Sequence, residues 1–133
     1  MYDYYISSHA EEIIMEQELK ELLDSLKEYL PKLIVACDNV AEEIKFGDKE
    51  KGYATLADIF EGLSWVYEAF DSIARAVPEK VNEFNWLRET GYLGELERAL
   101  TVQDEVLLAD LIVYEVREAM VEAQKTVDML YDK

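Results

Sequence analysis

One stripe of apolar residues constrains this chain more than any other feature. Leu19, Leu23, Leu26, Leu30, Leu33, Cys37, Val40 and Ile44 follow one another in steps of four and three. That alternation is a 3.5-residue repeat, which keeps one narrow helical seam against a partner. The stripe crosses Pro31 without losing phase. Proline removes one helical hydrogen bond, and its ring crowds the carbonyl four residues earlier. A kinked long helix, or two nearly collinear helices meeting at Tyr29–Pro31, is therefore expected.

Ser8-His9-Ala10-Glu11 has the spacing of a capping box, which places the start of this helix near Ser8. The seven residues before it, with Tyr2, Tyr4 and Tyr5, form a tyrosine-rich arm (1–7). Gly47 is expected to end the helix, and Phe46 to Gly52 to form a polar joint. A second helix, about 53 to 76, places Leu56, Leu63, Phe70 and Val77 seven apart, with Ile59, Val66 and Ile73 alongside. Phe60, Tyr67 and Ala74 widen its apolar face, as expected for a helix covered on two sides. Gly62 in mid-helix costs about 1 kcal/mol relative to alanine, so close approach of a neighbour is expected there.

Pro78 suits the first turn of a third helix carrying Val81, Phe84, Trp86 and Leu87. Gly91 stops or bends it, and Tyr92, Leu93, Leu96 and Leu100 form a short second piece. Thr101 or Asp104 caps the last helix. Its apolar lines read Val106, Val113, Met120, Val127 and Ala109, Val116, Ala123, Leu130, and around 107–114 it is apolar nearly all round, Tyr114 included. No strand alternation is present. The expected fold is all-α: an antiparallel four-helix bundle with a long first helix kinked or broken near Pro31, forming a single domain over 1–133.

Charge excludes some functions. Against 13 Lys and Arg stand 30 Asp and Glu, a net charge of −17. Such a surface repels a phosphate backbone and an anionic membrane, and suits a basic partner. No stretch reaches the roughly 18 apolar residues of a membrane span. The first residues lack the basic and apolar segments of a signal peptide, so the cytoplasm is the expected location.

Catalytic chemistry is thinly supplied. The lone Cys37 lies on the apolar seam, and the one histidine is His9. Gly47 to Gly52 lacks the Gly-Lys-Ser/Thr ending of a phosphate loop. Glu18, Glu21 and Asp24, and later Glu115, Glu118 and Glu122, have metal-ligand spacings but lie off the seams, facing solvent. Only His9, Glu12 and Glu16 put metal-ligand residue types on the backward extension of the first seam.

The layout of acidic helices resembles the flagellin export chaperones, small cytoplasmic helical proteins that hold a secreted subunit. The resemblance rests on Leu96-Glu97-Arg98-Ala99-Leu100-Thr101-Val102-Gln103-Asp104 leading into a capped last helix, and on the Tyr2 to Tyr5 arm. It implies a cargo groove that takes an amphipathic helix.

The expected function is non-enzymatic: a cytoplasmic bundle that binds another protein or a second copy of itself, with no cofactor, nucleic acid or membrane. The contact residues expected are Tyr2, Tyr4, Tyr5, Trp65, Trp86 and Tyr92, as exposed aromatics outside the seams. The alternatives are a metal-dependent phosphoanhydride hydrolase using His9, Glu12 and Glu16, and a structural homodimer paired through the first helix.

Overall fold

The computed structural model describes the backbone of residues 2–88 and 91–131, and the side chains of residues 16–131 apart from 81, 83 and 87–90. The described residues are helical apart from short links, with no strand among them. Helix α1 (Tyr2–Phe46) is followed by α2 (Lys49–Ala76), a 3-10 run (Pro78–Phe84) and a single turn, α3 (Asn85–Arg88). Then come α4 (Gly91–Thr101), α5 (Glu105–Leu111), a π-turn (Ile112–Val116) and α6 (Arg117–Tyr131).

The seam holds as read. Leu23, Leu26, Leu30, Leu33, Cys37, Val40 and Ile44 are buried, and Leu19 packs against them partly buried. Pro31 does not break α1, whose 45 residues continue through it as one helix. Pro31 is exposed. The backbone hydrogen bond it removes therefore lies on the solvated side, where water can satisfy the freed Lys27 carbonyl. The helix also begins earlier than the capping-box spacing suggested. Its backbone is already helical at Tyr2, so Ser8 lies inside it and residues 2–7 are helical rather than an arm. The side chains of residues 1–15, and with them the arm's packing, lie outside the described residues.

The joint between α1 and α2 is shorter than the seven-residue stretch expected. Only Gly47 and Asp48 separate the helices, and the Asp48 carboxylate accepts from the Lys51 amide at 3.1 Å as the N-cap of α2. The two helices then lie close. A Cβ on Gly52 would sit 2.9 Å from Ile44 Cγ1, and one on Gly62 would overlap the Tyr29 hydroxyl. The mid-helix glycine thus marks a close approach, as its cost implied. Further along, Leu19 and Leu22 of α1 and Ile73 and Ala76 of α2 border one shallow depression. On α2, Leu56, Ile59, Leu63, Val66, Phe70 and Ile73 are buried, with Phe60, Tyr67 and Ala74 partly so.

In the C-terminal pass the heptad reading holds at Ala109, Val116, Met120, Ala123 and Val127, which are buried, and fails at its start. Val106 is 63% exposed, Tyr114 is 70% exposed and Val113 only partly buried. The large side chains covered around the middle of this pass are Leu108, Ile112, Val116 and Met120, successive steps of four. In a regular α-helix such steps rotate off the face by about 40° each. The π-turn absorbs that drift: the Arg117 amide donates five residues back, to the Ile112 carbonyl, and the wider turn holds the stripe on the core. Ion pairs mark how this pass meets α1, with Lys45 Nζ 3.1 Å from Asp110 and Arg117 Nε 2.8 Å from Asp38. The Tyr131 hydroxyl donates to Asp24, and Lys27 lies over the Tyr131 ring at 4.8 Å. Such partly exposed pairs are worth at most about 1 kcal/mol each and fix register more than stability.

A Schellman turn joins α4 to α5. The Asp104 amide donates to the Ala99 carbonyl at 3.0 Å and the Gln103 amide to the Leu100 carbonyl at 3.3 Å. Gln103 sits at φ 56°, the left-handed conformation that glycine adopts most cheaply. Asp104 then caps α5 by accepting from the Leu107 amide at 3.1 Å. Gln103→Gly is expected to raise stability by about 0.5–1 kcal/mol in chemical denaturation, and Gln103→Val to lower it.

Burial pushes the Cys37 thiol up to about 12, with the Asp38 carboxylate adding to the effect and Arg117 opposing it. The native thiol therefore stays protonated where an unfolded one ionises. Folding holds that proton, so this contribution is complete below about pH 9 and is lost as the pH rises toward about 12. Native Cys37 is expected to resist a thiol reagent at pH 8 and to react fully in denaturant.

Candidate functional site

The last third of the chain leaves a gap beside α2. The turns from Pro78 to Arg88 are held by Trp86, whose indole nitrogen donates to the Thr126 hydroxyl at 2.9 Å. Thr126 in turn donates to the Glu122 carbonyl at 3.0 Å. The Trp86 ring stands edge-on to Phe70 with centroids 4.7 Å apart, and Phe70 meets Phe84 at 5.7 Å. This cluster ties the 3-10 run to α2 and α6. The segment winds as a 3-10 run and a single turn rather than as the α-helix expected from Pro78.

Helix α4 then packs mainly on α5. Its Leu93, Leu96 and Leu100 look across at Phe60, Leu63 and Tyr67 of α2 over an open groove of about 570 Å³. Leu63 and Leu96 form its buried floor, while Phe60, Tyr67, Leu93 and Leu100 are partly open to it. Ser64, Glu68 and Glu97 complete the lining, so two carboxylates stand on an otherwise apolar trough. Below it the hydroxyls of Tyr67 and Tyr92 share a short hydrogen bond. Burial is the main cause that raises both phenol pKa values, so the pair stays protonated and neutral.

The expected contact residues separate under this geometry. Trp65 is at the surface, 36% exposed, packed edge-to-face on Tyr29 with centroids 5.5 Å apart. Trp86 and Tyr92 are not surface contacts. Each is only 7% exposed, and each has its polar atom hydrogen-bonded within the fold, to Thr126 and to Tyr67. Tyr2, Tyr4 and Tyr5 lie outside the described side chains. So do His9 and Glu12 of the expected metal set, while Glu16 is exposed. Among the described residues no group of three His, Cys, Asp or Glu could hold a metal ion. Cys37, buried and kept protonated, is not placed as a nucleophile. The groove residues carried a faint signal in the sequence. Phe60 and Tyr67 widen the α2 stripe beyond one seam, and Leu93 and Leu100 stand seven apart on a short helix.

The tyrosine pair gives the site a measurable signature. Tyr67→Phe leaves the buried Tyr92 hydroxyl without its partner and is expected to cost about 1–3 kcal/mol. Tyr67→Phe with Tyr92→Phe removes both hydroxyls and is expected to cost less than the sum of the two single changes, measured by urea denaturation in a double-mutant cycle.

No described helix is long and apolar enough to cross a membrane. Compared with known proteins, the chain matches no curated protein and no solved structure. One family profile matches, the domain of unknown function DUF8042, over residues 21–126. That span includes the seam from Leu23 to Ile44, all of α2, the groove and the π-turn. The chain therefore belongs to the DUF8042 family.

Proposed function

We propose that this protein is a non-enzymatic, cytoplasmic interaction module that holds an amphipathic helix of a basic partner protein in the groove between α2 and α4. In this reading α1, α2, α4 and the α5–α6 pass form an antiparallel four-helix bundle whose shortest member, α4, stands off α2 to receive the guest. The observation that carries the proposal is the open apolar trough of about 570 Å³ with Glu68 and Glu97 on it. A guest helix would set apolar side chains, spaced three and four apart, against Phe60, Leu93 and Leu100. Its lysines or arginines would meet the two carboxylates.

The charge of −17 supports the same choice of partner. It draws in basic segments and repels acidic ones, an effect weakened by salt. The resemblance to the flagellin export chaperones points the same way, toward a groove that shields a helix from solvent until it is handed on. A second copy of this chain is the competing occupant.

The test is titration of the full-length protein with a fluorescent 18-residue basic amphipathic peptide and its scrambled counterpart. Binding of the amphipathic peptide is expected on the order of micromolar, weakening as salt rises. Leu93→Asp should weaken it at least about tenfold with an unchanged helical circular-dichroism spectrum, since Leu93 is only partly buried. Equal binding of the scrambled peptide, or no effect of Leu93→Asp, overturns the groove as the site. Light scattering that shows concentration-dependent dimers abolished by Leu93→Asp reassigns the groove to a second copy.

A further inference from the structure

A second depression lies between α1 and α2, apart from the groove. Gly62 and Trp65 belong to none of the groove's lining, and with Asp58 and Glu61 they look toward α1 instead. There they meet Ser25, Glu28, Tyr29 and Lys32 around an open depression of about 630 Å³. Two aromatic rings form its corner. Tyr29 and Trp65 stand at 85° to each other with centroids 5.5 Å apart. The corner exists because position 62 is glycine: any Cβ there would overlap the Tyr29 hydroxyl and force the ring away.

Carboxylates surround the rings. Glu28, Asp58 and Glu61 all line the depression. Lys32 is its one cation, 3.8 Å from Glu28, with both side chains mostly exposed. Among the described residues, Asp58 and Glu61 have no ion-pair partner. Both carboxylates are close enough to raise the Tyr29 phenol pKa, after burial as the main cause. The phenol therefore stays neutral.

We infer that the Tyr29–Trp65 corner with Asp58 and Glu61 is a docking site for an arginine side chain of a basic protein partner. A guanidinium is planar. It can lie on an aromatic face while its fork of N–H donors pairs with a carboxylate. A lysine ammonium supplies the charge without the plane or the fork. A quaternary ammonium supplies no hydrogen-bond donor for the carboxylates. The corner offers the face and the carboxylates together, and the charge of −17 brings the cation to it.

This inference stands apart from the groove, because the two sites share no lining residue. The experiment is two-dimensional NMR of the full-length protein, which has two indole N–H signals, from Trp65 and Trp86. Three short peptides are titrated, identical except for a central arginine, lysine or citrulline. The arginine peptide is expected to shift the Trp65 indole and the Gly62 amide while leaving the buried Trp86 signal in place. It should bind about five- to tenfold more tightly than the lysine peptide, and the citrulline peptide should not bind measurably.

Asp58→Asn with Glu61→Gln, both exposed positions that leave the fold intact, should erase the preference for arginine over lysine. Trp65→Leu, followed through the Gly62 amide, should weaken the arginine peptide by a similar factor. Leu93→Asp should leave the titration unchanged. Equal shifts with arginine and lysine peptides, or a Trp65 signal that does not move, overturn the assignment and leave only diffuse attraction to an acidic surface.

Discussion

The close approach of α1 and α2 is the constraint on which the rest of this molecule depends. Two glycines on α2 make it possible, Gly52 beneath Ile44 and Gly62 beneath Tyr29. With both helices drawn together, the seam from Leu23 to Ile44 finds a continuous partner in Leu56, Ile59, Leu63, Val66, Phe70 and Ile73. The mid-helix glycine cost of about 1 kcal/mol is small beside the burial it permits, roughly 1.5–3 kcal/mol for each large aliphatic side chain. The same approach has a surface consequence. It stands Tyr29 against Trp65 and so creates the aromatic corner. Core packing and the proposed arginine-docking corner thus share one residue without a side chain.

The other side of α2 follows a different logic. Phe70, Phe84 and Trp86 form a compact aromatic cluster, and the Trp86–Thr126 hydrogen bond anchors the 3-10 run to the final helix. Helix α4 begins soon after that anchor and leans on α5. What α4 does not do is close onto α2. The partly open Phe60, Tyr67, Leu93 and Leu100 are the residue of that geometry, and they make the trough where the proposed guest helix would lie.

The parts of this fold that can be read from sequence are those governed by regular repeats. The first seam obeys a 3.5-residue period, and every position from Leu23 to Ile44 on it is buried. The α2 stripe behaves in the same way. Legibility ends where the period changes. In the last helix the covered large side chains Leu108, Ile112, Val116 and Met120 run in steps of four across the π-turn, so the heptad line begun at Val106 starts on an exposed residue, while the line Ala109, Val116, Ala123 stays buried. A π-turn has no composition of its own, and its one trace in the sequence is the run of four-residue steps from Leu108 to Met120. Trp86 and Tyr92 were open to misreading for another reason. They lie off the heptads, and the partners that bury their polar atoms, Thr126 and Tyr67, are 40 and 25 residues away. The groove itself depends on how far α4 stands from α2, a distance no local pattern encodes. Pro31 shows the converse: the preserved phase of the seam was better evidence of helix continuity than the proline was of a break.

The π-turn also bears on how this family can vary. A π-turn is what a helix forms when it holds one residue more than its buried face requires. Removing one residue between Ile112 and Val116 would let the turn close into ordinary α-helix, with Leu108 on one side and Met120 on the other still directed at the core. A single-residue deletion anywhere else in the buried stretch would rotate everything beyond it by about 100°. Length variation within this last helix therefore has one tolerant place. Two family members differing by one residue here would share a core, and a gap at 112–116 would be the alignment that superimposes them.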